Sequence, residues 1–190
     1  MTHKEKKWIL WGGVAAGVLL LATRAGASTP GSGSLATLSY RGQSGLPMGM
    51  RRNNPGNLVA GVGYKGEIND GGRFALFETW PLGIRAMIVL LRKYITNGSS
   101  YPNQCVTTPQ NTVALIVSQW APKRSCGGDN DDSVVEKYIN YVAGRTGFSR
   151  NQTLSAEKST LQRLVKAMAY FEQGRECVTD AQFNFAYTLL

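Results

Sequence analysis

The sequence predicts an α+β domain, mainly helical, with one small β-hairpin, preceded by a single apolar helix at the N-terminus. Three features carry that expectation. "YKGEINDGGRFALFET", residues 64–79, has Asn-Asp-Gly-Gly at its centre and alternating apolar residues after it, which is a hairpin signal. Beyond residue 80, apolar residues recur at helical spacing in stretches separated by Gly or Pro. Residues 8–23, "WILWGGVAAGVLLLAT", carry no charge at all.

The apolar run is flanked by Lys4, Lys6 and Lys7 on one side and by Arg24 on the other. As a helix it rises about 24 Å, a little short of a ~30 Å hydrocarbon core. Trp8 and Trp11 suit the role of interfacial anchors, and the lysines put their end on the cytoplasmic side. Residues 1–24 are therefore read as a membrane anchor, with the rest of the chain on the periplasmic side. The alternative is a cleaved signal peptide, because Ala25 to Ala27 end in a small-x-small pattern, and the protein would then be secreted. Residues 25–46, rich in Gly, Ser and Thr, are expected to form a flexible linker. The folded domain is expected over 47–190.

Within that domain the signals follow in order. Thr79 can cap a helix with Pro81 in its first turn, on which Ile84, Met87, Ile88, Leu91 and Ile95 repeat at helical spacing until Asn97-Gly98. A second helix is expected from near Thr108-Pro109 to Trp120, stopped by Ala121-Pro122. Ser133-x-x-Glu136 has the form of a capping box opening a third, with Gly147 beyond its end. A fourth begins at Thr153 or Ser155, carries Leu161, Leu164, Val165, Met168 and Phe171 on one face, and closes at Gly174. Thr179-x-x-Gln182 caps a short last helix.

Composition narrows the function. The formal net charge is +9 at pH 7, which favours an acidic polymer as partner. Lys and Arg are spread along the chain rather than gathered with aromatics, which argues against a nucleic-acid groove and leaves anionic lipid and the bacterial cell wall. The only His is His3, so His-based zinc sites and Ser-His or Cys-His catalysis are excluded for the domain, and neither metal nor cofactor is expected. Of the three cysteines, Cys105 and Cys126 would staple the two loops flanking the second helix and leave Cys177 as a thiol. The sequence leaves the connectivity open.

"RRNNPGNL", residues 51–58, can be neither helix interior nor central strand, because Pro and Gly break both and Asn competes for backbone hydrogen bonds. In order with "YKGE", "RFALFETWPLGIRAMIVLLRKY", "SQWAP" and "KYINYVAGRTG", it resembles a family of phage and prophage proteins with an Arg-Asn-Asn-Asn-Pro-Gly-Asn signature. Several members of that family are treated as cell-wall hydrolases of the lysozyme superfamily. The likeness covers roughly residues 47–148. Arg52 stands where the family usually has Asn, Tyr64 where it commonly has Trp, and "KRSCGGDNDDS" lengthens the loop after Trp-Ala-Pro.

The resemblance implies a lysozyme-like domain that degrades peptidoglycan when a phage enters or leaves a bacterium, as a lysozyme or lytic transglycosylase. Glycoside chemistry needs a carboxylic acid to protonate the leaving oxygen, and a second carboxylate can be replaced by the substrate. Lysozyme-like enzymes keep that acid on a helix before the hairpin, yet residues 28–63 hold no Asp or Glu. The acid must come from the hairpin or later. The candidates, in order, are Glu78, Glu67 and Asp70, each with an ordinary structural role as well: helix-terminal charge for Glu78, turn former for Asp70. Asn53, Asn54, Asn57, Tyr64 and Tyr138 are the expected contacts to the sugar chain, set against turn-building and core roles. Trp120 is read as core. The rival class is a non-catalytic virion or envelope protein that binds wall, membrane or other virion proteins; a muralytic endopeptidase is a further alternative.

Overall fold

The computed structural model describes residues 32–100 and 102–190. The order of elements is α1 (Ser32–Ala36), α2 (Met48–Arg51), β1 (Glu67–Ile68), β2 (Leu76–Phe77), α3 (Trp80–Thr96), α4 (Val113–Trp120), a 3-10 turn (Arg124–Cys126), α5 (Asp132–Thr146), α6 (Lys158–Gln173) and α7 (Asp180–Thr188). The two strands pair antiparallel, Glu67 with Phe77 and Ile68 with Leu76, closed by a turn in which Gly71 has φ +72°. The result is a mainly helical domain with a two-stranded sheet.

Helix α3 is the centre. Ile84, Met87, Ile88 and Leu91 form the expected stripe and are wholly buried. Burial of each such side chain stabilises by about 1.5–3 kcal/mol. Around α3 pack α4, α6, α7 and the second strand. The signature turn presses on its first turns, where an added Cβ at Gly83 would lie 1.8 Å from the Asn53 carbonyl oxygen.

Local hydrogen bonds shift several expected boundaries. Helix α4 starts at Val113, capped by the Thr112 hydroxyl. The stretch before it is pinned as loop, since the buried Gln110 accepts from the Ser99 N–H and donates to the Thr107 carbonyl. Asp131, not Ser133, caps α5, by accepting from the Ser133 N–H. Glu136 is thereby left to pair with Lys123 and Arg150. Helix α6 starts only at Lys158, because the buried Leu154 donates its N–H to the Asn111 carbonyl. Thr179 and Gln182 do form a capping box.

Two expectations change at the N-terminal side. The membrane-spanning helix over residues 8–23 lies outside the described residues, and among the described residues no helix is long and apolar enough to cross a membrane. The fold class with a transmembrane helix and the membrane-anchored location are corrected accordingly. The 17 residues of α3 include Arg85, Arg92 and Lys93, and its apolar stripe is spent on the protein core rather than on lipid. The linker expected over 25–46 also ends earlier than residue 46. Leu35 is buried, the Leu38 carbonyl accepts from the Trp80 N–H at 2.8 Å, and Tyr40 meets the Trp80 ring edge-on at 4.9 Å.

Candidate functional site

The site grows from the turn at 53–57. Asn53 and Asn57 have φ of +52° and +49°, the left-handed region that Asn tolerates better than other residues with a side chain. Gly56 is pressed against the core, where an added Cβ would sit 2.7 Å from the Trp120 ring and 2.9 Å from Met87. This geometry turns the Asn57 side chain towards the C-terminal end of α6. There its Nδ2 donates to Glu172 Oε2 at 2.8 Å.

Glu172 is the centre of a converging set. Its Oε1 accepts from Trp120 Nε1 at 3.1 Å and from the Tyr138 hydroxyl at 3.0 Å. Turn, α4, α5 and α6 thus each contribute one group. Tyr138 and Trp120 are buried, and the Tyr138 ring stacks on Phe171 with centroids 3.8 Å apart. As a residue Glu172 keeps part of its surface exposed, yet desolvation is the largest influence on its carboxyl. Burial raises its pKa from 4.5 to about 7, against the downward pull of the bonds from Asn57, Tyr138 and Trp120. All three of those partners are neutral, so no cation holds the group ionised. A carboxyl in this state exists as acid and as base near neutrality, which is what proton transfer to a substrate requires.

Protein P5 of Pseudoalteromonas phage PM2 is 33% identical to this chain over 132 residues, a match covering 66% of this chain and 71% of that protein. This chain belongs to the Protein P5 family. No family model matches it.

In this member of the Protein P5 family two of the three carboxylates expected to act, those of Glu67 and Asp70, hold the fold. Glu67 accepts from the N–H groups of Gly61, Gly63 and Tyr64 and so ties down the glycine-rich loop before the hairpin. Asp70 pairs with Arg52 at 2.7 Å, and that bond, with the Gly72 N–H, holds its carboxyl below the usual range. Glu78 is exposed at the end of the hairpin, where its main chain pairs with Gly66 and Asn53. Among the described residues, none of the three hydrogen-bonds to the Glu172 cluster.

The expected sugar contacts also divide. Asn53 and Asn54 are wholly buried, which corrects their assignment to substrate. The Asn53 amide reaches the backbone of Tyr40, Phe77 and Glu78 and the Ser39 hydroxyl, and the Asn54 amide reaches the backbone of Leu58 and Ala75, so both brace the fold. Tyr64 packs on Phe77 at 6.1 Å, and burial together with nearby Glu67 raises its hydroxyl to about 12. Only Asn57 and Tyr138 meet at the candidate acid. Cys105 and Cys126 are bonded with Cα atoms 5.4 Å apart, and Cys177 is a buried thiol. Among the described residues no group of three or more His, Cys, Asp or Glu could hold a metal ion.

Glu172 itself was legible in principle. Leu161, Val165, Met168 and Glu172 share the spacing of one helix face, so a carboxylate stands on the apolar stripe of α6. A charge at such a place is either paired or has a shifted pKa. A cavity of about 570 Å³ is lined by Tyr40, Met50, Lys166, Arg175 and the chain from Glu176 to Asp180; Glu172, Asn57, Trp120 and Tyr138 are not among its lining residues.

Proposed function

We propose that this chain is a peptidoglycan-cleaving glycosidase of the lysozyme or lytic transglycosylase type, and that Glu172 is its general acid. One observation carries the proposal: a partly exposed Glu whose carboxyl is desolvated, raised to about 7 and held from three sides by neutral donors. In the proposed reaction Glu172 gives its proton to the glycosidic oxygen, the bond from that oxygen to the anomeric carbon breaks, and the bonding pair stays with the leaving oxygen. The Glu172 partners include no second carboxylate, which favours the transglycosylase form. There a hydroxyl of the substrate closes on the anomeric carbon and returns its proton to Glu172. The charge of +9 would concentrate the protein on an anionic wall, and the phage relative suits an act of wall opening at infection or release.

Glu172→Gln decides the matter. Incubated with purified sacculi, the native chain should release anhydro-ended fragments. The variant should lose about 10²–10⁴-fold in rate while remaining folded at the pH of the assay. Fragments with new reducing ends would make the enzyme a hydrolase, and free stem peptides would make it an endopeptidase. Sacculi that bind the native chain and stay intact would overturn the proposal in favour of a non-catalytic wall-binding virion protein. The structural use of Glu67 and Asp70 is the observation on that rival's side.

A further inference from the structure

We propose that the proton of Glu172 resides on Oε2 and that Asn57, itself oriented by Gln173, is the positioning residue that holds this oxygen. The inference rests on Glu172 being the acid and goes further, to which of its oxygens delivers the proton. A carboxyl oxygen offers two lone pairs. Both are taken on Oε1, by the Trp120 N–H and the Tyr138 hydroxyl. The indole can only donate. The other acceptor within reach of the Tyr138 hydroxyl is the Met168 carbonyl at 3.5 Å, the far edge of hydrogen-bonding range, so that hydroxyl proton belongs to Oε1. Oε2 takes one donor, Asn57 Nδ2 at 2.8 Å, and keeps a lone pair for a proton.

The Asn57 amide is fixed in the sense this needs. Gln173 Nε2 donates to Asn57 Oδ1 at 3.4 Å and to the Pro55 carbonyl at 2.9 Å, so Oδ1 is the end turned to Gln173 and Nδ2 the end turned to Glu172. Helix α2 closes over the pair: an added Cβ at Gly49 would lie 2.4 Å from Asn57 Oδ1 and 2.3 Å from Gln173 Nε2. The left-handed backbone of Asn57 sets the start of its side chain. The groups that meet Glu172 from the turn, α4 and α5 are uncharged. On its own side of the chain the next charged residues are Arg175 and Glu176, the latter paired with Arg145. After desolvation, Asn57 is therefore the strongest influence on the acidity of Glu172 among its hydrogen-bond partners, and none of those partners is charged.

The test uses the full chain with 13C-labelled Glu carboxyls, titrated by NMR, with the Glu172 signal identified by its loss in Glu172→Gln. Asn57→Gly keeps the left-handed backbone and removes only the amide. The Glu172 midpoint should then move to higher pH, because a bond that favours the carboxylate is gone. Asn57→Asp, which sets an acceptor and a charge against Oε2, should move it further in the same direction. Gln173→Leu should shift it upward by less. In the wall assay, Asn57→Gly should lower kcat and leave KM. A neutron map of the native protein below the Glu172 midpoint should place deuterium on Oε2. Deuterium on Oε1, or a midpoint unmoved in both folded Asn57 variants, overturns the inference. Native protein that titrates as described yet cleaves no wall would remove the proposed function and leave the Asn57 assignment standing.

Discussion

Glu172 links a single proton to the stability of the whole domain. Its pKa is raised on folding, from 4.5 to about 7, so the folded state binds the proton more tightly than the unfolded chain. The stability this gives is fully present below the unfolded value and is lost as the pH rises through about 7, by up to roughly 3 kcal/mol on the linkage relation. Gln cannot titrate. The difference in unfolding free energy between Glu172→Gln and the native chain should therefore move in the variant's favour from about pH 5 to about pH 8. A difference that stays flat over this range would mean that the carboxyl is not desolvated. Asp70, Asp131, Asp132, Glu136 and Asp180 have lowered values and act with the opposite sign, present in both proteins and cancelling in the comparison. Asn54 supplies a second test at this scale. Asn54→Ala strands the Leu58 N–H and the Ala75 carbonyl in the interior, and leaves the Leu58 carbonyl with the Ala75 N–H alone. Each buried group left alone costs about 1–3 kcal/mol, so chemical denaturation should show a large loss. Loss of wall binding with unchanged stability would restore the sugar-contact role.

Among the elements, α4 is the one held by a covalent clamp. It is eight residues long, too short to be stable alone. The Cys105–Cys126 bond closes the chain around it across a sequence separation of 21. A loop of this size stabilises by roughly 3 kcal/mol through the entropy removed from the unfolded chain. Cys105→Ser with Cys126→Ser should lower the unfolding midpoint by a corresponding amount, and peptide mapping without reductant should find Cys177 apart from the linked pair. Because α4 carries Trp120, the same double variant should weaken the hold on Glu172 and reduce any activity more than the loss of folded protein explains. Helix α5 shows why a capping motif is a weak locator. Ser133 and Glu136 have the right spacing, but Asp131 stands two residues earlier and captures the Ser133 N–H and hydroxyl. Glu136 then gains more from Lys123 and Arg150 than from a backbone N–H.

On the scale of the molecule, the segment ahead of α2 is part of the fold. Ser39 and Tyr40 bond to Asn53, and Leu38 bonds to Trp80 at the start of the central helix. A chain starting at residue 47 should therefore unfold at a lower temperature than one starting at residue 32, and the signature turn should exchange its amide protons faster. Equal stability of the two would return these residues to the linker. The sequence by itself determined the presence of the five helices α3 to α7, the hairpin and the closing glycines, because apolar spacing, Asn-Asp-Gly-Gly and left-handed Gly147 and Gly174 act over a few residues. Tertiary structure alone decided the site. Asn57 and Glu172 lie far apart in the chain, and neither residue's type announces the other. Asn53 and Asn54 look like sugar ligands as a string and become backbone braces only once α3 and the hairpin close over them. A desolvated carboxyl is a property of what packs around it, and local sequence carries no record of that beyond one Glu on the apolar face of α6.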